Sequence, residues 1–173
     1  MKLTGVKIKM SLDKIDIKII NSLQKDSSIP FIEIAKKVGV TDGTIHQRVK
    51  KLRKSGTLKN FTVILNHKQI GGGSLAYTSI KVNPGFLDSV SNQIKKISNV
   101  LEIQEIHNTQ GDLLIKIRAD SQEKIRDIVV EKIRKIVGIV DTDILPVFKS
   151  WKEEINLPVN ATIIENPNND KEI

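Results

Sequence analysis

The sequence predicts an α+β chain of two unlike parts: three short helices in its first third, then a β-α-β-β-α-β series. Three observations carry that expectation. Apolar residues before Gly56 recur at helical spacing, those after Gly71 switch between strand and helix periods, and the positive charge is confined to the first part. Positions 1–60 hold fourteen Lys or Arg against five Asp or Glu, whereas positions 61–173 hold fourteen against fifteen. The entire formal excess of +8 on the 173 residues therefore belongs to the first third.

Leu12, Ile15, Ile19, Ile20 and Leu23 mark one face of a first helix, with Asp13 and Asp16 in the first turn where the helix dipole favours them. Pro30 ends the polar stretch that follows, and a second helix begins near Phe31, with Ile32, Ala35 and Val38 as its expected apolar face and Gly39 closing it. Thr41 or Asp42 caps a third helix, whose buried face is Ile45, Val49 and Leu52 and which ends before Gly56. The tight turn between the second and third helices makes a helix-turn-helix.

After Gly56 the period changes. Residues 61–74 read as an extended linker segment running into a GGGS break. Beyond it come a strand at 75–82, a helix at 85–98, strands at 100–107 and 112–119, a helix at 122–137 with Ile125, Ile128, Val129, Ile133 and Ile136 inward, and a strand at 139–148. That order is the ferredoxin-like split βαβ, in which two helices cover one sheet face and leave the other open. An open face built from Leu75, Tyr77, Ser79 and Lys81 implies a second copy to cover it. The expected domains are thus 1–60, the linker 61–74, a sheet domain at 75–149, and a C-terminal extension at 150–173. The extension is mostly polar, with its last eight residues disordered and local docking through Trp151, Ile155, Leu157, Ile163 or Ile164.

Composition removes several function classes. With no cysteine there is no disulfide framework, thiolate metal site or cysteine nucleophile. His46, His67 and His107 lie far apart in no ligand spacing, so no metal and no cofactor are expected. No apolar run approaches the roughly 18 residues of a membrane span, and the start MKLTGVKIKM lacks a signal-peptide core. A soluble, cytoplasmic protein is expected, with no membrane partner. A membrane-surface role would need a basic amphipathic helix with large aromatics, and positions 1–61 hold only Phe31 and Phe61.

With Ile45, Val49 and Leu52 turned inward, the helical wheel turns Gly43, Thr44, Gln47, Arg48, Lys50, Lys51 and Lys54 to solvent, with Thr41 at the helix start. These groups suit double-stranded DNA. Arg and Lys pair with phosphates or guanine, Gln can donate to and accept from adenine, and Thr reaches a phosphate or a thymine methyl. Gly43 removes a side chain where such a helix approaches the groove floor. The bland alternative is a solvated basic helix, but that would not require the preceding helix, turn and cap. His46 could touch DNA or pack at the helix edge. Asp16 reads as a helix-start charge.

The stretch from SLDKIDIKII to LNHKQIG resembles the N-terminal winged-type helix-turn-helix domain of the Lrp/AsnC (feast/famine) transcription regulators, through its LD…D…I opening, its EIA helix and its R-V-x-x-L…G-x-[IL] close. HNTQGDLLIKIRAD resembles that family's effector-binding oligomerisation domain. The resemblance runs from about Ser11 to about Lys149. It implies a sequence-specific transcription regulator, not an enzyme, in which the segment after Gly56 is a hinge strand. It further implies sheets that pair face to face in a homodimer, and dimers that often assemble into octamers. It also implies an amino-acid or related effector at the loop carrying His107, Thr109, Gly111 and Asp112. The family often has an Arg before the second helix where Ser28 stands. Its loop usually reads T-G-x-x-D, so aligning on Asp112 puts Thr109 in the glycine's place. That loop reads equally as a tight β-hairpin turn. Residues 1–9 are either an added basic arm or the product of an upstream start.

The rival from another class is a sirohaem-decarboxylase-like enzyme on the same scaffold. It would need His and Arg groups converging on a carboxylated substrate, and the second half offers only Arg118, Arg126 and Arg134. No nucleophile-base pair, P-loop or carboxylate dyad stands out. A stand-alone amino-acid sensor would scarcely need its own helix-turn-helix.

Overall fold

The structure of the protein, a computed structural model, describes residues 12–108 and 111–159, the side chains of His107 and Asn108 excepted. The arm at residues 1–9, Thr109, Ile163, Ile164 and the last eight residues lie outside the described residues.

Helix α1 (Lys14–Lys25) opens on Asp13, whose carboxylate accepts the N–H groups of Ile15 and Asp16 while Asp16 returns the bond to the Asp13 N–H, a full capping box. Helix α2 (Phe31–Val38) follows Pro30 and ends at Gly39, whose φ of 78° is the left-handed closure that glycine adopts without steric cost. Helix α3 (Asp42–Lys54) is capped by Thr41, whose hydroxyl accepts the Thr44 N–H. The three bury Ile19, Ile20, Leu23, Ile34, Ala35, Ile45, Val49 and Leu52 together. One expectation is corrected in α2: Ile32 is exposed and Ile34 is fully buried. Phe31, Ile34, Ala35 and Val38 form the inward stripe, a phase of the same helical period that an eight-residue helix with five apolar residues also permits.

Residues 59–66, expected as an extended segment, form neither helix nor strand among the described residues. Then come β1 (Ser74–Val82), α4 (Leu87–Ile94), β2 (Val100–Asn108), β3 (Gly111–Ala119), α5 (Gln122–Ile128) running into a π-helical turn at Val129–Ile133, and β4 (Ile139–Val147). The sheet is antiparallel in the order β2-β3-β1-β4, which is the ferredoxin-like arrangement. Strict alternation along β3 buries Leu113, Ile115, Ile117 and Ala119 against Val90, Ile94, Ile125, Val129 and Ile133. Leu114, Lys116 and Arg118 fall on the opposite face. The chain divides into two compact units, one reaching from the N-terminal part to Val63 and taking in the chain from Glu154 onward, the other Ile64–Glu153.

Candidate nucleic-acid interface and effector loop

Burying Ile45, Val49 and Leu52 fixes the rotation of α3 about its axis, and so decides which of its polar residues meet water. Gly43, Gln47, Lys50, Lys51 and Lys54 are exposed, as is Thr41 at the cap. None of the three lysines makes an ion pair with a described residue. Thr44 is half-buried, and its hydroxyl lies 2.8 Å from that of Thr41. The sequence reading missed Arg53, exposed and on the same side as Lys50; the signal was there in its three-residue spacing from Lys50.

Arg48 behaves differently from its neighbours. Its Nη1 donates to Asp13 Oδ2 at 2.6 Å and to Asp16 Oδ1 at 2.9 Å, pinning α3 to the start of α1. The Asp16 N–H and then the guanidinium hold the Asp13 carboxyl below its ordinary range, and the Asp13 hydrogen bond, then that of Asp16, holds Arg48 above its own. Arg48 is thus committed to the fold in the free protein. It borders a shallow notch of 320 Å³ together with Asp13, Thr44, Gln47 and Lys51. His46 stands edge-on to Phe31 with ring centroids 4.8 Å apart, and its Nε2 is 3.6 Å from Asp42, which favours the packing role. With Phe31, Gln47, Lys50, Arg53 and Phe61 it lines an open apolar groove of 470 Å³ with a cationic rim.

The second candidate site is the β2–β3 hairpin. Asn108 pairs with Gly111, so the connection is two residues long, and Thr109 falls within it. Gly111 has a packing reason to be glycine: a Cβ there would lie 2.2 Å from Ser79 Oγ. Asp112 is engaged by the fold, its Oδ2 accepting the Val82 N–H at 2.8 Å and its Oδ1 accepting from Lys81 Nζ at 3.2 Å. The Val82 bond falls where the β1–β4 register shifts, a bulge that frees a backbone donor. Of the four loop residues, only Gly111 and Asp112 have described side-chain surroundings. Among the described residues no group of three or more His, Asp or Glu is placed to hold a metal ion.

A helix-turn-helix with solvent-facing lysines, carried on the same chain as a ferredoxin-like sheet, defines a two-domain DNA-binding regulator. Residues 12–53 match the AsnC-type helix-turn-helix domain, and residues 75–157 match the Lrp/AsnC ligand binding domain. The chain is 38% identical over 154 residues to the HTH-type transcriptional regulator FL11 of Pyrococcus abyssi, covering 88% of this chain and 99% of that one. It is 30% identical over 152 residues to the leucine-responsive regulatory protein of Klebsiella pneumoniae, covering 87% and 93% respectively. Its fold is that of Escherichia coli AsnC (TM-score 0.77, 23% identity, 83% of this chain and 96% of that one). The transcriptional regulator NMB0573 of Neisseria meningitidis, solved with L-Met, shares it too (TM-score 0.80, 21% identity, 86% and 97%). The chain belongs to the Lrp/AsnC family of transcription regulators. The relatives are named as regulators, which supports a DNA-binding protein and gives no support to the sirohaem-decarboxylase alternative.

Proposed function

We propose that the chain reads double-stranded DNA with the solvent face of α3. The observation that carries this is the row of exposed cations Lys50, Lys51 and Lys54, without a carboxylate partner among the described residues, beside Gln47 on a helix whose rotation the core fixes. The lysines meet phosphates, Gln47 meets a base edge, Gly43 lets the helix approach the groove floor, and Thr41 and Thr44 meet a phosphate or a thymine methyl. Arg48 belongs to this surface by placing α3 and by bordering the Gln47 notch. Selection of bound fragments from genomic DNA tests the reading. Enrichment of a shared pseudo-palindromic sequence is expected, and no enrichment over random fragments overturns it.

The same proposal includes an assembly. On the sheet face opposite the helices Tyr77, Lys81 and Leu114 are half-buried and Leu145 is exposed, whereas Leu75 and Ser79, expected on the open face, are buried; Val63, Ile64 and Leu65 are exposed as well. A homodimer formed on these surfaces, assembling further to an octamer, would present two α3 helices to half-sites about one helical turn apart. Light scattering at micromolar concentration checks it, a monomer being the contrary result. The site of action is the cytoplasm; no helix among the described residues is long and apolar enough to cross a membrane.

The effector is an amino acid held near His107, Thr109, Gly111 and Asp112, a reading supported by the ligand-binding domain match and by the L-Met complex of the Neisseria relative. Asp112, held in place by Val82 and Lys81, puts a carboxylate at this hairpin as the counter-charge for a ligand ammonium group. Calorimetry with each of the twenty amino acids tests it, and twenty titrations without heat overturn it.

A further inference from the structure

Asn21 and Gln24 stand three residues apart on α1, so their side chains rise from one face of the helix. Each ends in a primary amide, with a carbonyl acceptor and an NH₂ donor like the groups of a peptide unit. The extended segment beside them matches that complement. Gln24 Nε2 donates to the Leu157 carbonyl at 2.9 Å, and the Leu157 N–H donates to Gln24 Oε1 at 2.9 Å. Asn21 Nδ2 donates to the Val159 carbonyl at 2.9 Å, and the Val159 N–H donates to Asn21 Oδ1 at 3.4 Å. Alternate residues of an extended chain turn their backbone groups to the same side.

The residue between the two is Pro158, which has no N–H to leave unsatisfied on the outer side. Proline also fixes its own φ and pushes Leu157 toward extended backbone, so the segment arrives in the shape the amides take. Val159 then packs at the edge of the three-helix core, while the Leu157 side chain stays exposed. The contact takes hold of backbone first and of one apolar side chain second.

We propose that Asn21 and Gln24 form a clamp for an extended peptide segment, and that its occupant is this chain's own Leu157–Val159. The C-terminal stretch thereby becomes part of the DNA-binding unit. This holds independently of whether an effector binds. It is tested by amide hydrogen exchange on the full chain. The Leu157 and Val159 amides should exchange at least tenfold more slowly than an unstructured chain. In the Asn21→Ala/Gln24→Ala variant both should return to the unstructured rate, and alanine at these two exposed or half-buried helix sites favours the helix itself. Leu157→Pro leaves α1 untouched and removes one clamped N–H, and should release the Val159 amide in the same way. Unstructured rates in the unaltered chain, or protection that survives in both variants, would overturn the clamp. Protection that disappears on dilution would assign the segment to a second copy and overturn the occupant.

Discussion

The two units put their cations to different uses. On α3, Lys50, Lys51 and Lys54 point into solvent with no carboxylate partner among the described residues. In the sheet unit, Lys116 lies between Glu102 at 3.2 Å and Glu153 at 2.7 Å, Arg118 also pairs with Glu153, and Lys81 pairs with Asp112. Positive charge held by a neighbouring carboxylate is spoken for within the fold; unpaired charge on a fixed helix face is available to an anionic partner. Arg48 is the informative exception, a cation on α3 paired as the sheet's cations are.

The largest expected effects separate the units by their cores. Ile45→Ala empties a fully buried site among the helices and should cost about 2–5 kcal/mol, abolishing DNA binding while the sheet unit keeps its strand signal in circular dichroism. Ile115→Ala, fully buried in the sheet core, should cost a similar amount, and the three-helix unit should keep its amide protection. A loss shared equally by both units in either variant would break the division.

Smaller effects sharpen the contrast between free and committed charge. Gln47→Ala should change preference at one base pair by about 1–3 kcal/mol and leave the salt dependence unaltered, as competition binding would show. Arg48→Ala should lower thermal stability because it strands the nearly buried Asp16, and the loss should shrink when Asp16→Asn is added, a coupling that a double-mutant cycle reads.

The smallest effect concerns Glu153, whose hydrogen bonds from Lys116 and then Arg118 hold its carboxyl at about 2. A depressed folded-state pKa gives stability that is present above the unfolded value, near 4.5, and is lost as pH falls toward 2. About a third of that side chain is exposed, so solvent screening keeps the contribution modest. Between pH 5 and pH 2 the unaltered chain should lose slightly more stability than Glu153→Gln, as urea melts at both pH values would show.

Local pattern made much of this legible. Helical spacing gave all three N-terminal helices and the inward face of α3, and alternation gave the sheet strands to within a residue or two. What stayed hidden depends on long-range pairing. Nothing near Arg48 indicates that its partners lie 32 and 35 residues upstream, so helical-wheel geometry alone turned it to solvent. The phase of α2 was ambiguous because Ile32 and Ile34 both fit a helical stripe, and only packing against α1 and α3 selects Ile34. Docking of the C-terminal stretch was anticipated through large apolar side chains, yet Trp151, Ile155 and Leu157 are exposed and the hold is on backbone, which leaves no side-chain signature. The effector loop gave least, since two of its four candidate residues lack described surroundings and Asp112 serves the hairpin as well.

In the proposed mode of binding, the cations of α3 without a described partner meet DNA, and the paired ones of the sheet do not. The direct measurement is the slope of log affinity against log salt for the full chain, for Lys50→Gln/Lys51→Gln/Lys54→Gln, and for Lys116→Gln. Each phosphate contact contributes about 0.9 to the slope, so the α3 variant should lose up to about 3 units on specific and random DNA alike, and Lys116→Gln should keep the parent slope. A slope unchanged by the three α3 substitutions, or lowered by Lys116→Gln, would contradict it.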